Sequence, residues 1–353
     1  MFLNYINAFR AIAIFFVIAL HTIHIFNWQN SVLTEKFIYT FFSNGSIFFI
    51  FVSGYLFQHL SGKFETKKFY LLKIKNILLP YLIISIPAIY SFISSENTVT
   101  HLPNFNENPI WQQVFHAYLY GLHAPHFWFI PMMLMFFVIA PLLNWSDKNN
   151  LFYWLLPILI VVSCSVHRGL PLDNFIYYFS IYILGMFSSK FKQSINLAIT
   201  QKFSRTLLLL TFVIIFSIEY FSTSSQVIYI NFLQKIVLIF LTLSWLIQYE
   251  NKLDSKYIMI LANKSFGIYF LHGYILYFAW TTSSLITKSF TKIATDLLPG
   301  NILIFLIACV AVLLSCIAVI FLIEKALGSK SYLLVGYCKM PALNKAQENK
   351  ASI

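Results

Sequence analysis

Residues 7–28 read NAFRAIAIFFVIALHTIHIFNW. Apart from Arg10 at its start the run carries no fixed charge, and it is long enough for a spanning helix, which needs about 20 mostly apolar residues. No small-residue cleavage site follows it, so it reads as a retained span and not as a signal peptide. The rest of the chain has the same character. Of 353 residues, 59% are hydrophobic and 10% charged, and Phe alone occurs 38 times. A soluble domain carries about 25% charged residues, so this composition excludes a cytosolic enzyme, a disordered chain and a secreted disulfide scaffold. The solvent for most of the chain is lipid.

The same ruler gives ten candidate spans, near residues 8–27, 38–60, 71–95, 126–144, 151–167, 174–189, 203–222, 228–248, 264–286 and 301–324. The expected fold is all-α, a polytopic membrane bundle of about ten transmembrane helices over 1–330, with a cytoplasmic tail at 331–353. A net charge of +12 would suggest nucleic acid in a soluble protein; here its placement sets orientation. With the N-terminus inside, eighteen of the 24 Lys and Arg fall on inner segments and four on outer ones. The positive-inside rule then puts both termini in the cytoplasm and the Asn-, His- and Pro-rich insert 96–125 outside an inner membrane. Cys164, Cys309, Cys316 and Cys338 have no metal-ligand spacing and read as buried or free thiols; no metal is expected.

A ten-helix bundle fits a transporter, a channel, a scramblase or an integral enzyme. The choice rests on polar groups inside the membrane, where burial is costly. Arg10 and His21 are eleven residues apart, so at 100° per residue they lie within about 20° of one face, separated by about 16.5 Å of rise. Arg10 falls at the inner interface, where it is an anchor or an anion contact, and His21 beyond the midplane. An imidazole titrates near neutral pH and suits a general base or a proton relay. His24, one turn further out, reads first as a structural hydrogen-bonding group and otherwise as an acceptor contact.

Arg10 and His21, with ten residues between them, resemble the R-x10-H signature of the acyltransferase-3 family of multi-pass membrane O-acyltransferases, which modify bacterial surface sugars. GSIFFIFVSGYLF (45–57), KIKNILLPYL (73–82), HFWFIPMMLMFFVIAPLL (126–143) and SFGIYFLH (265–272) are similar to the family's later motifs, in order. Two departures stand out. Ile47 occupies a place where many members have Asp, and Lys67, Lys68, Lys73 and Lys75 with Asn76 replace paired arginines before the third span.

The resemblance implies acyl transfer from cytoplasmic acetyl-CoA to a hydroxyl of a glycan or lipid-linked sugar such as O-antigen, capsule or exopolysaccharide, with membrane lipids as surroundings and no nucleic acid. It assigns His21 as base with Arg10 beside it in the catalytic set. Arg10, Lys68, Lys73, Lys75 and Ser53 become candidate contacts of the anionic donor, and His126, Trp128 and His24 of the acceptor. The basic residues equally satisfy the positive-inside rule, and Ser53-Gly54 equally reads as a helix contact. WQQVFHAYLYGL (111–122) is expected as an amphipathic surface helix, Glu219 and Lys235 as a mutual pair, and His272 as a hydrogen bond across helices or a lining of the donor tunnel. The competing function is a secondary transporter or glycan exporter using the same charges. Such proteins often show repeated halves with broken spans, and the sequence has no such symmetry.

Overall fold

The computed structural model describes residues 3–99, 101–222, 227–253, 256–291 and 298–336; Cys338, Lys292 and most of the expected tail lie outside them. The structure is a helical membrane bundle, and each of the ten expected segments falls on helix. In chain order these are α1 (Asn4–Thr22), α2 (Val32–Phe42), α3 (Ser46–His59), α4 (Thr66–Lys73), α5 (Leu79–Ser94), α6 (Ile110–Tyr120), α7 (Phe129–Val138), α8 (Ala140–Ser146), α9 (Leu156–Ser165) and α10 (Pro171–Lys190). Then follow α11 (Lys192–Thr200), α12 (Lys202–Phe221), α13 (Val227–Gln248), α14 (Lys256–Thr291), α15 (Ile302–Leu327) and the short α16 (Tyr332–Val335). Helix α6 is the surface helix expected at 111–122, with Trp111, Phe115 and Leu119 exposed and Gln113 and Ala117 buried.

Among the described residues six helical segments are long and apolar enough to cross a membrane by themselves, seven if the pair α7–α8, bent by 54°, is one span. The helices α10 and α14 fall short of that measure because they carry Asn174, Ser180, Lys264 and His272, which the bundle interior shelters. The helix α12 is the opposite case. Leu207, Leu210, Val213, Ile214 and Ile218 are all exposed, an apolar face that only lipid solvates at low cost.

Two expected boundaries are corrected. The first span closes at Ile25, its α-helix ending at Thr22 and tightening into a 3-10 turn over Ile23–Ile25, and residues 26–27 then pair as a two-residue strand with residues 298–299. The second span starts at Val32 and is interrupted at Ser43–Gly45, where Asn44 takes φ 58°. An interruption frees carbonyls that lipid cannot satisfy. Lys235 of α13, fully buried, donates from Nζ to the carbonyls of Thr40 (3.0 Å) and Phe41 (2.7 Å) and to Gln234 Oε1 (2.5 Å). A cation at the C-terminus of α2 also complements the helix dipole. Lys235 therefore does not pair directly with Glu219, as the sequence suggested; Glu219 Oε1 accepts from Asn231 Nδ2 (2.7 Å).

The core is held by close helix crossings. A Cβ on Gly54 (α3) would stand 2.0 Å from the Tyr182 carbonyl oxygen, and one on Gly185 (α10) 2.1 Å from that of Phe51. Small residues let the two backbones touch, the usual source of helix association in lipid. Phe9 of α1 packs on Phe48 and Phe51 of α3, with ring centroids 5.4 and 5.7 Å apart. These contacts fix α1, and with it both of its polar positions.

Candidate active site

Three imidazoles meet in the bundle: His21 near the end of α1, His126 just before α7, and His272 within α14. Ring centroids are 5.3 Å apart for His21 and His272, 4.5 Å for His126 and His272, and 6.0 Å for His21 and His126. His126 and His272 are buried, and the Nε2 of each lacks a hydrogen-bond partner. The Nδ1 of His272 faces the carbonyls of Tyr269 (2.7 Å) and Ile268 (3.3 Å). A carbonyl only accepts, so Nδ1 carries the proton and the neutral ring presents a bare Nε2 acceptor. The hydrogen bond of His272 therefore lies within its own helix and not across helices, and its ring belongs beside His21.

Gly273 makes this meeting sterically feasible. A Cβ there would lie 2.2 Å from Cε1 of His126 and 2.8 Å from its Nδ1. Tyr269, one turn earlier on α14, donates from Oη to the His126 carbonyl (2.6 Å) and holds that loop. Buried orphan nitrogens are costly and concentrate where ligands or chemistry complete them. Among the described residues no group of three or more His, Cys, Asp or Glu side chains is arranged to hold a metal ion.

Two cavities are lined by chain neighbours of His21 and His126, although none of the three imidazoles lines either. The first, about 590 Å³, is lined by Leu20 and Trp128, by Asn44 from the break between α2 and α3, and by Arg168, Tyr177 and Glu219. The second, about 720 Å³, is lined by Arg10, Ser53, Lys63, Lys68, Lys73 and the apolar Ile130 and Met133, with Glu65 as its one acidic residue. Leu20 adjoins His21 and Pro125 adjoins His126 on the first cavity, whereas Phe129 and Ile130 face the second. The loop bearing His126 thus runs from one cavity to the other.

The second cavity is basic by construction. Arg10 Nη2 donates to Ser265 Oγ (3.2 Å), the first residue of the SFGIYFLH stretch, and makes no ion pair among the described residues. Lys73 is wedged between the rings of Phe69 and Phe137, at 5.1 and 4.5 Å, so its charge is fixed in place. Ser53 Oγ bonds back to the Phe49 carbonyl (2.8 Å) while lining the cavity. Between α4 and α5 residues 74–78 form one turn of π-helix, which carries Asn76 to the cavity wall; such turns are frequent at functional sites.

The candidates read from the sequence thus separate by geometry. Arg10, Ser53, Lys68 and Lys73 line the second cavity, Trp128 lines the first, and His21 and His126 meet in the cluster with His272 and line neither. Lys75 and Lys67 are exposed and line neither cavity; Lys75 lies over the Tyr332 ring (4.5 Å). His24 is exposed in the turn after α1 and lines neither. His123 is buried outside the cluster, its Nδ1 donating to the Ala117 carbonyl (3.0 Å). The sequence offered His272 as a hydrogen bond across helices or a donor-tunnel lining and singled out no role for Gly273, Asn44 or Arg168. The one available signal was the FLHGY run, where glycine directly follows an intramembrane histidine.

The family model described as an acyltransferase domain, of the acyltransferase-3 type, matches residues 3–321, nearly the whole chain. No curated protein and no solved structure matches the chain.

Proposed function

Because the chain belongs to the acyltransferase-3 family of membrane acyltransferases, we propose that it moves an acetyl group from acetyl-CoA to a hydroxyl of a cell-surface glycan or lipid-linked sugar. The observation that carries this reading is the three-imidazole cluster, whose His126-bearing loop lines a basic cavity with Phe129 and Ile130 and an aromatic, polar one with Pro125 and Trp128. CoA is a polyanion, and Arg10 as a planar fork with Lys63, Lys68 and Lys73 as point charges suits its phosphates. The apolar walls beyond Arg10 suit the pantetheine arm, which covers the roughly 16.5 Å of helix between Arg10 and His21. The basic residues orient the second cavity toward the cytoplasm and the first toward the outside of the inner membrane.

In the reaction a nitrogen of His21 takes the proton of the acceptor hydroxyl, and the oxygen attacks the thioester carbonyl carbon. The C–O bond forms and an oxyanion develops on the carbonyl oxygen. As it collapses the C–S bond breaks, and the departing CoA sulfur recovers the proton from the His21 imidazolium. His272, its ring centroid 5.3 Å from that of His21 with Nε2 unpartnered, offers an acceptor close to the base.

Radiolabelled acetyl-CoA supplied to the protein in nanodiscs tests this, with water or added glycan as acceptor. His21→Ala is expected to lower CoA release by about 10²–10⁴-fold, the usual contribution of a positioned base. Release unaffected by that substitution would remove His21 from the centre. Absence of turnover by the native protein on a panel of glycans would favour the transport reading.

A further inference from the structure

The first cavity contains a cation that the transfer chemistry does not use. Arg168 lies in the exposed loop before α10, with its guanidinium carbon 5.0 Å above the Trp128 ring, 5.4 Å from that of Tyr178 and 5.9 Å from that of Tyr177. Trp128 and Tyr178 are themselves stacked, 14° from parallel at 5.8 Å. The polar hub beneath them is Asn44, buried at the break between α2 and α3. Its Oδ1 accepts from Tyr178 Oη (2.6 Å) and from Arg168 Nη1 (3.5 Å), and its Nδ2 donates to Tyr177 Oη (2.9 Å). Arg168 is thus held beside three aromatic rings and by one long hydrogen bond. Among the described residues it has no carboxylate partner, and most of its five donors remain for a ligand.

A second group points the same way. Glu219 is 4% exposed and lines the same cavity; one of its oxygens is bonded to Asn231, and Oε2 has no partner. An orphan buried acceptor calls for a donor from a ligand, because leaving it unmet is costly. The cavity therefore offers a planar cationic fork, aromatic faces and a carboxylate acceptor within a volume typical of small-ligand sites.

Resting on the reading of this cavity as the acceptor side, we propose that the acceptor is an acidic sugar: its carboxylate is gripped by Arg168, which the aromatic rings hold in place, and one of its hydroxyls donates to Glu219. Arg168 is then a specificity-determining residue. The guanidinium fork matches a planar carboxylate with two parallel hydrogen bonds, which a lysine cannot reproduce.

The test is binding, so it stands apart from transfer chemistry. The full-length protein in phosphatidylcholine nanodiscs is titrated with a trigalacturonic acid and with the neutral galactose trisaccharide of matching linkage. The native protein, Arg168→Gln and Arg168→Lys are compared, and the titrations are repeated with phosphatidylglycerol in the disc. The acidic sugar is expected to bind at least about tenfold more tightly than the neutral one. That preference should vanish in Arg168→Gln, recover only in part in Arg168→Lys, and persist in both lipids. Because Arg168 is an exposed loop residue, all three proteins are expected to elute alike by size exclusion. Equal binding of the two sugars, no binding of either, a preference that survives in Arg168→Gln, or an Arg168 effect confined to anionic lipid would each overturn the proposal. Acidic-sugar binding without acetyl transfer would leave it standing and count only against the transferase reading.

Discussion

Replacing Gly273 with Ala adds one methyl group and changes no charge, yet it addresses the geometry of the imidazole cluster directly. The new Cβ would stand 2.2 Å from His126 Cε1. Ordinary contact begins at 3.4 Å, so ring and helix must separate by about 1.2 Å. The ring has little room to yield, since it is 4% exposed and packed against Phe127, Tyr269 and His272. Overpacking costs about 1–3 kcal/mol, partly offset by the ~1 kcal/mol that Ala gains over Gly inside a helix. Net destabilisation should stay below about 2 kcal/mol, and the variant should insert and purify. Activity should suffer more, because a 1 Å misplacement in a site costs about 10²-fold. Thermal unfolding and acetyl-CoA turnover are measured on the same nanodisc sample. Gly267→Ala on the same helix, whose added Cβ meets its neighbours at 3.0–3.2 Å, is the control and should keep turnover within a few-fold. If Gly273→Ala turns over like the control, the cluster geometry is not part of catalysis.

Arg10→Lys keeps the charge and loses the fork; the KM for acetyl-CoA should rise about tenfold with kcat nearly unchanged, whereas Ala at the exposed Lys67, outside both cavities, should change neither. Lys235→Met removes the donor to the Thr40 and Phe41 carbonyls and should destabilise by ~2–4 kcal/mol, read as a fall in unfolding temperature in detergent. Burial pushes the His123 imidazole down to about 4, against the opposing hydrogen bond to Ala117. Between about pH 6.5 and 4 the unfolded chain therefore binds a proton that the folded one refuses, so stability falls as pH drops through that window, by at most ~3 kcal/mol from this residue. His123→Gln should flatten that part of the unfolding profile.

Apolar run length located α1, α3 and the region of α7 that carry much of the site, because lipid demands continuous backbone hydrogen bonding and so ties sequence to helix with few alternatives. The spacing of Arg10 and His21 on one face of α1 was legible for the same reason. What the sequence concealed depends on contacts between distant segments. His272 is 251 residues from His21 in the chain, and only the packing of α1 on α14 joins them. The interruption at Asn44 does have a local mark, the Asn44-Gly45 dipeptide, which a reading by apolar run length passes over; what the sequence conceals is that Lys235, nearly two hundred residues later, satisfies the freed carbonyls. The Glu219–Lys235 pair looked self-sufficient from depth and charge, but backbone carbonyls with no other partner claimed the lysine.

In the proposed reaction donor and acceptor reach the imidazole cluster from opposite faces of the membrane. Proteoliposomes holding the protein in one known orientation, loaded with an acceptor glycan and given acetyl-CoA outside, test it in one assay. With the Arg10 side outward, CoA should appear outside and acetylated glycan inside, and vesicles of reversed orientation should make no product. Product formed only when donor and acceptor share a compartment, whichever way the protein faces, would contradict the account.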